Sequence, residues 1–96
     1  MVGLEDRYQK DSSIVFREIA GEAILVPIRQ NVGDLESIYT LNETASCIWT
    51  LIDGERSVRD IRDRIVAEFE VGEEEAQRDL VEFLERLETA GAAKKT

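Results

Sequence analysis

Three sets of residues in this chain are of types that do chemistry. The first is Cys47, the single cysteine. A thiol turns nucleophilic when a neighbouring base draws off its proton, and the chain contains no histidine to serve as one. One thiol also supplies no cluster for zinc. Set beside Ile48 and Trp49, Cys47 reads as a small core residue, the common fate of free cysteine. The second set is the acidic run "EFEVGEEE", residues 68 to 75. It lacks the alternating Asp/Asn spacing of a calcium loop, and Glu73, Glu74 and Glu75 suit the first turn of a helix, where the backbone dipole favours negative charge. The third set is Arg56, Arg59, Arg62 and Arg64 in "ERSVRDIRDR", four bases against three acids. A basic row on a helix suits DNA phosphates, so a winged-helix DNA-binding regulator is one reading. Against it, residues 68 to 88 carry nine acids and two arginines, a net of −7, and such a surface is repelled by a phosphate backbone. No glycine-rich phosphate loop exists, because the six glycines each fall at or near a turn. The expectation is therefore a protein with no catalytic residue, no metal and no cofactor.

A binding module is the reading that survives, and its elements follow from periodicity. "IVFREI" (14 to 19) and "EAILVPI" (22 to 28) are rich in β-branched and aromatic residues and are joined by Ala20 and Gly21, which predicts a hairpin. Pro27 cannot donate to a ladder, so its strand lies at an edge or ends there. "RQNVGD" reads as a turn and "ESIYTL" (36 to 41) as a third strand. From Asn42 the period changes to 3.6. Asn42 suits an N-cap and Gly54 an exit, giving a first helix over residues 43 to 53. Ala45, Ile48, Trp49 and Ile52 share one side of it, with Cys47 and Leu51 nearly opposite. A helix apolar on two faces belongs inside, between the sheet and two further helices.

The second helix is predicted from Ser57, whose capping partner is Asp60 three positions on, with Val58, Ile61, Ile65, Val66 and Phe69 as its stripe. The third follows Gly72 and runs to about Ala90, with Gly91 beyond its end and Ala76, Leu80, Phe83, Leu84, Leu87 and Ala90 facing inward. Glu74 with Arg78 and Glu82 with Arg86 are spaced as i,i+4 ion pairs. The order βββααα defines an α+β domain over residues 14 to 92. Residues 1 to 13 read as a flexible leader and residues 93 to 96 as a tail.

Composition narrows the partners. Ninety-six residues, 43% of them apolar, suffice for one core that buries about 60 to 65% of the surface the unfolded chain exposes. A net charge of −9 disfavours nucleic acid and anionic membrane alike. The absence of a long apolar run near the N-terminus, or of about 18 consecutive apolar residues anywhere, gives an expectation of a cytoplasmic protein. A lone cysteine agrees with a reducing compartment. An edge strand exposes unpaired N–H and C=O groups that can accept an added strand from a peptide. "ESIYTL" is the candidate edge. Beside it Val81 lies off the main stripe of the third helix and Leu84 at its border, next to Gln77 and Glu88. The same edge could pair with a second copy, so monomer and homodimer are both open.

The run "LNETASCIWTLIDGERSVRDI" followed by "FEVGEEEAQRDLVEFLERLETAG" resembles the PqqD family, small peptide-binding proteins also described as RiPP precursor peptide recognition elements. The resemblance rests on Leu41 and Asn42 opening a helix, Ala45, Ile48 and Trp49 within it, Asp53 and Gly54 at its end, Ser57, and then Asp79, Leu80, Phe83, Leu84, Leu87 and Gly91. It covers roughly residues 14 to 91. It implies a winged-helix-like fold of three antiparallel strands and three helices. It further implies binding of the leader of a ribosomally made precursor peptide and its presentation to a modifying enzyme, often a radical S-adenosylmethionine enzyme. In such proteins the leader adds beside the third strand, in a groove walled by the third helix. Carried onto this chain, that site comprises Ser37, Ile38, Tyr39 and Thr40 on the strand with Gln77, Val81 and Leu84 on the helix. Members serving pyrroloquinoline quinone biosynthesis tend to carry a Tyr-Pro-Glu-Gly-like segment before the Leu-Asn pair. Here only Pro27 of "VPIRQNVGDLESIYTLN" answers to it, so the pathway is PQQ-type or another RiPP route.

Overall fold

The computed structural model describes residues 2–27 and 39–96. The hairpin forms as expected from β2 (Ile14–Ile19) and β3 (Glu22–Pro27), paired antiparallel with Ile19 opposite Glu22. Its two-residue loop has positive φ at both positions, 54° at Ala20 and 84° at Gly21. That backbone twist matches the twist of the strands, and only the glycine adopts it without strain. β4 (Tyr39–Leu41) pairs antiparallel with β3, Ala23 opposite Leu41 and Leu25 opposite Tyr39, so the order is β2-β3-β4. β3 is thus central. Pro27 is its last residue, a place where a missing N–H interrupts little of the ladder. The expected strand began at Glu36; residues 36 to 38 lie outside the described residues.

The three helices follow, as the periodicity predicts. α1 (Glu43–Leu51) is capped by Asn42, whose Oδ1 accepts from the Ala45 N–H at 2.8 Å. It stops two residues short of Asp53. Ile52 is extended, and the Asp53 carboxylate then accepts from the N–H groups of Glu55 and Arg56, both at 2.9 Å. That Asx-type turn draws the chain out of the helix. α2 (Val58–Phe69) has the full capping box, Ser57 Oγ accepting from the Asp60 N–H and Asp60 Oδ2 accepting from the Ser57 N–H, each at 3.1 Å. It ends at Glu70 in a left-handed conformation, φ 53°. α3 (Glu73–Ala90) ends on Gly91 at φ 76°, the glycine-favoured exit. Ile48, Trp49, Leu51 and Ile52 are buried, and α1 packs against β4, α2 and α3. The two-faced helix sits between the sheet and its sister helices.

The termini differ from expectation. Residues 1 to 13 read as a flexible leader and residues 93 to 96 as a tail, yet β1 (Tyr8–Lys10) pairs antiparallel with β5 (Ala93–Lys95) in a separate two-stranded sheet. Tyr8 is 1% exposed and joins the main core cluster with Ala92 and Ala93. The same segment completes α2: the carbonyl of Asp6 accepts from the Val58 N–H and that of Leu4 from the Arg59 N–H, both at 2.9 Å. Those donors belong to the first helical turn, which has no partners of its own. Strands of three residues are too short to carry a readable period, and their partners lie at the other end of the chain.

Candidate functional site

β4 has a strand partner on one side only among the described residues. Alternate backbone groups along Tyr39–Leu41 therefore point away from β3, and they form the open edge. Thr40, opposite Ile24, is exposed, whereas Leu41, opposite Ala23, is 7% exposed and points into the core. Pleating puts these two side chains on opposite faces.

The chain turns from this edge through Asn42 directly into α1, and there a cavity of about 230 Å³ opens between the start of α1 and α3. Thr44, Ala45 and Ile48 line one wall; Asp79, Glu82, Phe83 and Arg86 line the other. Its floor is apolar, with Ile48 and Phe83 buried and Ala45 half-buried. Its rim is charged, since Asp79, Glu82 and Arg86 are exposed. Asn42 lines the mouth while its side-chain oxygen is held by the cap of α1. A cleft with an apolar patch and a charged rim, next to a strand with an open edge among the described residues, suits an extended peptide, which offers main-chain hydrogen bonds to the edge and alternate side chains to the cleft.

The residues singled out from the sequence are not gathered at one place. Ser37 and Ile38 lie outside the described residues. Tyr39 and Thr40 are on the open strand. On α3, Leu84 is fully buried in the core, and Gln77 accepts from Nη1 of Arg62 at 3.0 Å, tying α3 to α2. Val81 is half-buried in an open depression of about 320 Å³ with Glu74, Gln77, Arg78 and Glu82, the last of which also lines the α1–α3 cavity. At 100° per residue, Gln77 and Val81 occupy one flank of the buried stripe and Asp79 and Arg86 the other. The cavity beside α1 uses the second flank. The signal available in the sequence was the i, i+4, i+7 series Asp79, Phe83, Arg86, whose apolar member also belongs to the core stripe.

The remaining chemical groups are engaged structurally. Arg56 pairs with Asp53 at 2.9 Å, Arg59 with Glu5 at 2.7 Å and Arg64 with Glu68 at 3.8 Å. Arg62, 8% exposed, donates to Asp63 through both Nε and Nη2. A row that is already matched by carboxylates offers little to phosphates. Cys47 is half-buried, and burial pushes its thiol pKa up, away from thiolate character. Neither i,i+4 pair expected on α3 closes to ion-pair distance among the described residues; Arg78 instead lies 4.0 Å from Asp79. Among the described residues no group of three or more potential ligands is placed to hold a metal, and no helix is long and apolar enough to cross a membrane.

The fold defines a small α+β domain, a sheet of three antiparallel strands followed by three helices, with a groove between the first and third helices that opens at Asn42, the residue after the last strand of that sheet. The chain belongs to the PqqD family: the family model described as coenzyme PQQ synthesis protein D matches residues 22–92. Two solved structures share the fold. "TbiB1 in complex with the TbiA(beta) leader peptide" aligns with a TM-score of 0.71 at 24% identity, covering 90% of this chain and 94% of that one. "Lasso peptide synthetase B1 complexed with the leader peptide" aligns with a TM-score of 0.74 at 22% identity, covering 92% and 98%. No curated protein sequence is significantly similar to the chain.

Proposed function

We propose that this protein is a non-catalytic recognition domain that binds the leader of a ribosomally synthesised precursor peptide and presents it to a modifying enzyme in the cytoplasm. The partner enzyme is of the radical S-adenosylmethionine type or another peptide-modifying class, in PQQ-type or other RiPP biosynthesis. One observation carries this reading: β4, without a second strand partner among the described residues, ends at Leu41, and the next residue, Asn42, lines the α1–α3 groove. A strand laid along Tyr39–Leu41 satisfies backbone groups that otherwise need water, and its inward side chains reach Ala45, Ile48 and Phe83. Family membership supports it, as do the two structural relatives, each solved with a leader peptide. The paired arginines of α2 and the acidic surface of α3 speak against the DNA-binding alternative.

The test is an amide-shift titration of ¹⁵N-labelled protein with the synthetic leader of a short precursor peptide sought among the genes beside its own. Saturable shifts are expected at residues 39–48 and 79–86. No shift in either segment overturns the proposal.

A further inference from the structure

The rim of the groove is charged unevenly. Asp79 and Glu82 precede Phe83 along α3 and Arg86 follows it, the three charged residues all on the groove wall and all exposed. Glu82 and Arg86 are one turn apart, the spacing at which opposite charges pair, yet they form no ion pair among the described residues. Between them the floor is apolar, from Ile48 and Phe83. Acid, apolar floor and base follow one another along one wall.

Resting on the strand-addition reading, we infer that this groove reads the charge order of its occupant: a Lys or Arg beside Asp79 and Glu82, an aliphatic or aromatic side chain over Phe83, and an Asp or Glu beside Arg86. The spacing agrees. Asp79 to Arg86 advances seven residues along the helix, about 10 Å. Side chains on one face of a strand repeat about every 6.6 Å, so three in succession span about 13 Å. An extended segment with a base, an apolar residue and an acid at alternate positions therefore matches both charged ends while its middle side chain enters the trough. The rim also selects by exclusion, because a segment of reversed charge order sets like charges together at both ends. The protein's net charge of −9 adds a general attraction for cationic peptides that screens out with salt. The local order, by contrast, fixes the direction in which the strand lies.

A twelve-residue random peptide library displayed on phage is selected on the wild-type protein, and the best binder is made synthetically. Its sequence is expected to carry base, apolar residue and acid at alternate positions. Its affinity is expected to fall about fivefold or more on Arg86→Glu, and again on the pair Asp79→Lys with Glu82→Lys, since each swap turns attraction into repulsion. Exchanging the peptide's own charges restores binding to the protein with all three positions swapped. Glu74→Lys, on the other flank of α3, changes the net charge by the same two units as any single swap and is expected to leave affinity within twofold. Selected peptides that shift the amides of Tyr39–Leu41 but show no charge order, or that bind all variants within twofold, overturn the charge rule and leave strand addition standing. Selected peptides that leave those amides unshifted overturn strand addition itself.

Discussion

Nη1 of Arg62 on α2 lies 3.0 Å from Oε1 of Gln77 on α3, and the guanidinium is almost wholly buried while it makes that bond. The contact joins two helices whose apolar stripes already face each other, and it commits the Gln77 side-chain carbonyl to α2. Gln77→Leu leaves one buried Arg62 N–H unpartnered, a loss of about 1–3 kcal/mol. Urea unfolding is expected to show that loss, with peptide affinity within twofold of wild type. Unchanged stability together with lost binding would return Gln77 to the peptide site.

The two flanks of α3 make separable claims. Ala45→Tyr fills the α1–α3 groove from the α1 side and is expected to weaken leader binding at least tenfold without shifting the thermal midpoint by more than a few degrees. Val81→Asp, on the other flank, is expected to bind within twofold of wild type. Calorimetric titration of both variants decides between the flanks, and loss of binding in Val81→Asp alone would place the peptide beside Gln77 and Val81.

Tyr8 tests the status of the N-terminal segment. Its ring is part of the core, while its buried hydroxyl has no hydrogen-bond partner of normal geometry among the described residues. Burial, followed by the field of Glu88, pushes the phenol pKa far above its ordinary value. Tyr8→Phe removes an unsatisfied group and is expected to be neutral or slightly stabilising. Tyr8→Ala is expected to cost about 3–5 kcal/mol, as for other buried aromatic side chains. If a chain lacking residues 1 to 10 melts like the full-length protein, the segment contributes nothing to the fold.

Acid stability carries the signature of Asp53. The N–H groups of Arg56 and then Glu55 hold its carboxyl below the usual carboxylate range, with the Arg56 guanidinium adding to them. A depressed folded-state pKa stabilises above the unfolded value and loses that contribution as pH falls through the folded one. The stability advantage of wild type over Asp53→Asn is therefore expected to be complete at neutral pH and to close below about pH 4, as read by thermal melts across that range. A constant difference between the two proteins down to pH 2 would remove Asp53 from the acid limb.

Local signals were legible in full. The Asn42 cap, the Ser57–Asp60 box, the Gly91 exit and the Ala20–Gly21 hairpin each involve residues within four positions of one another, so side-chain type alone specifies them. The buried stripes of α1, α2 and α3 were legible for the same reason. The α1 boundary was misread by two residues because Gly54, taken as the helix exit, has its positive φ of 80° in the Asp53 turn beyond the helix.

What the sequence by itself determined, then, is the run of strands and helices, their inward faces and the lack of catalytic partners for Cys47, since all of these rest on short-range periodicity and residue chemistry. Only the tertiary structure decided that Tyr8–Lys10 meets Ala93–Lys95, and that Asp79, Glu82, Phe83 and Arg86 line a cavity with the start of α1 while Gln77 and Val81 line a second depression. A helix with one buried stripe has two flanks of equal standing in the sequence. Which of them faces α1 depends on the angles at which α1, α2 and α3 pack, and those angles are set by contacts between residues far apart in the chain.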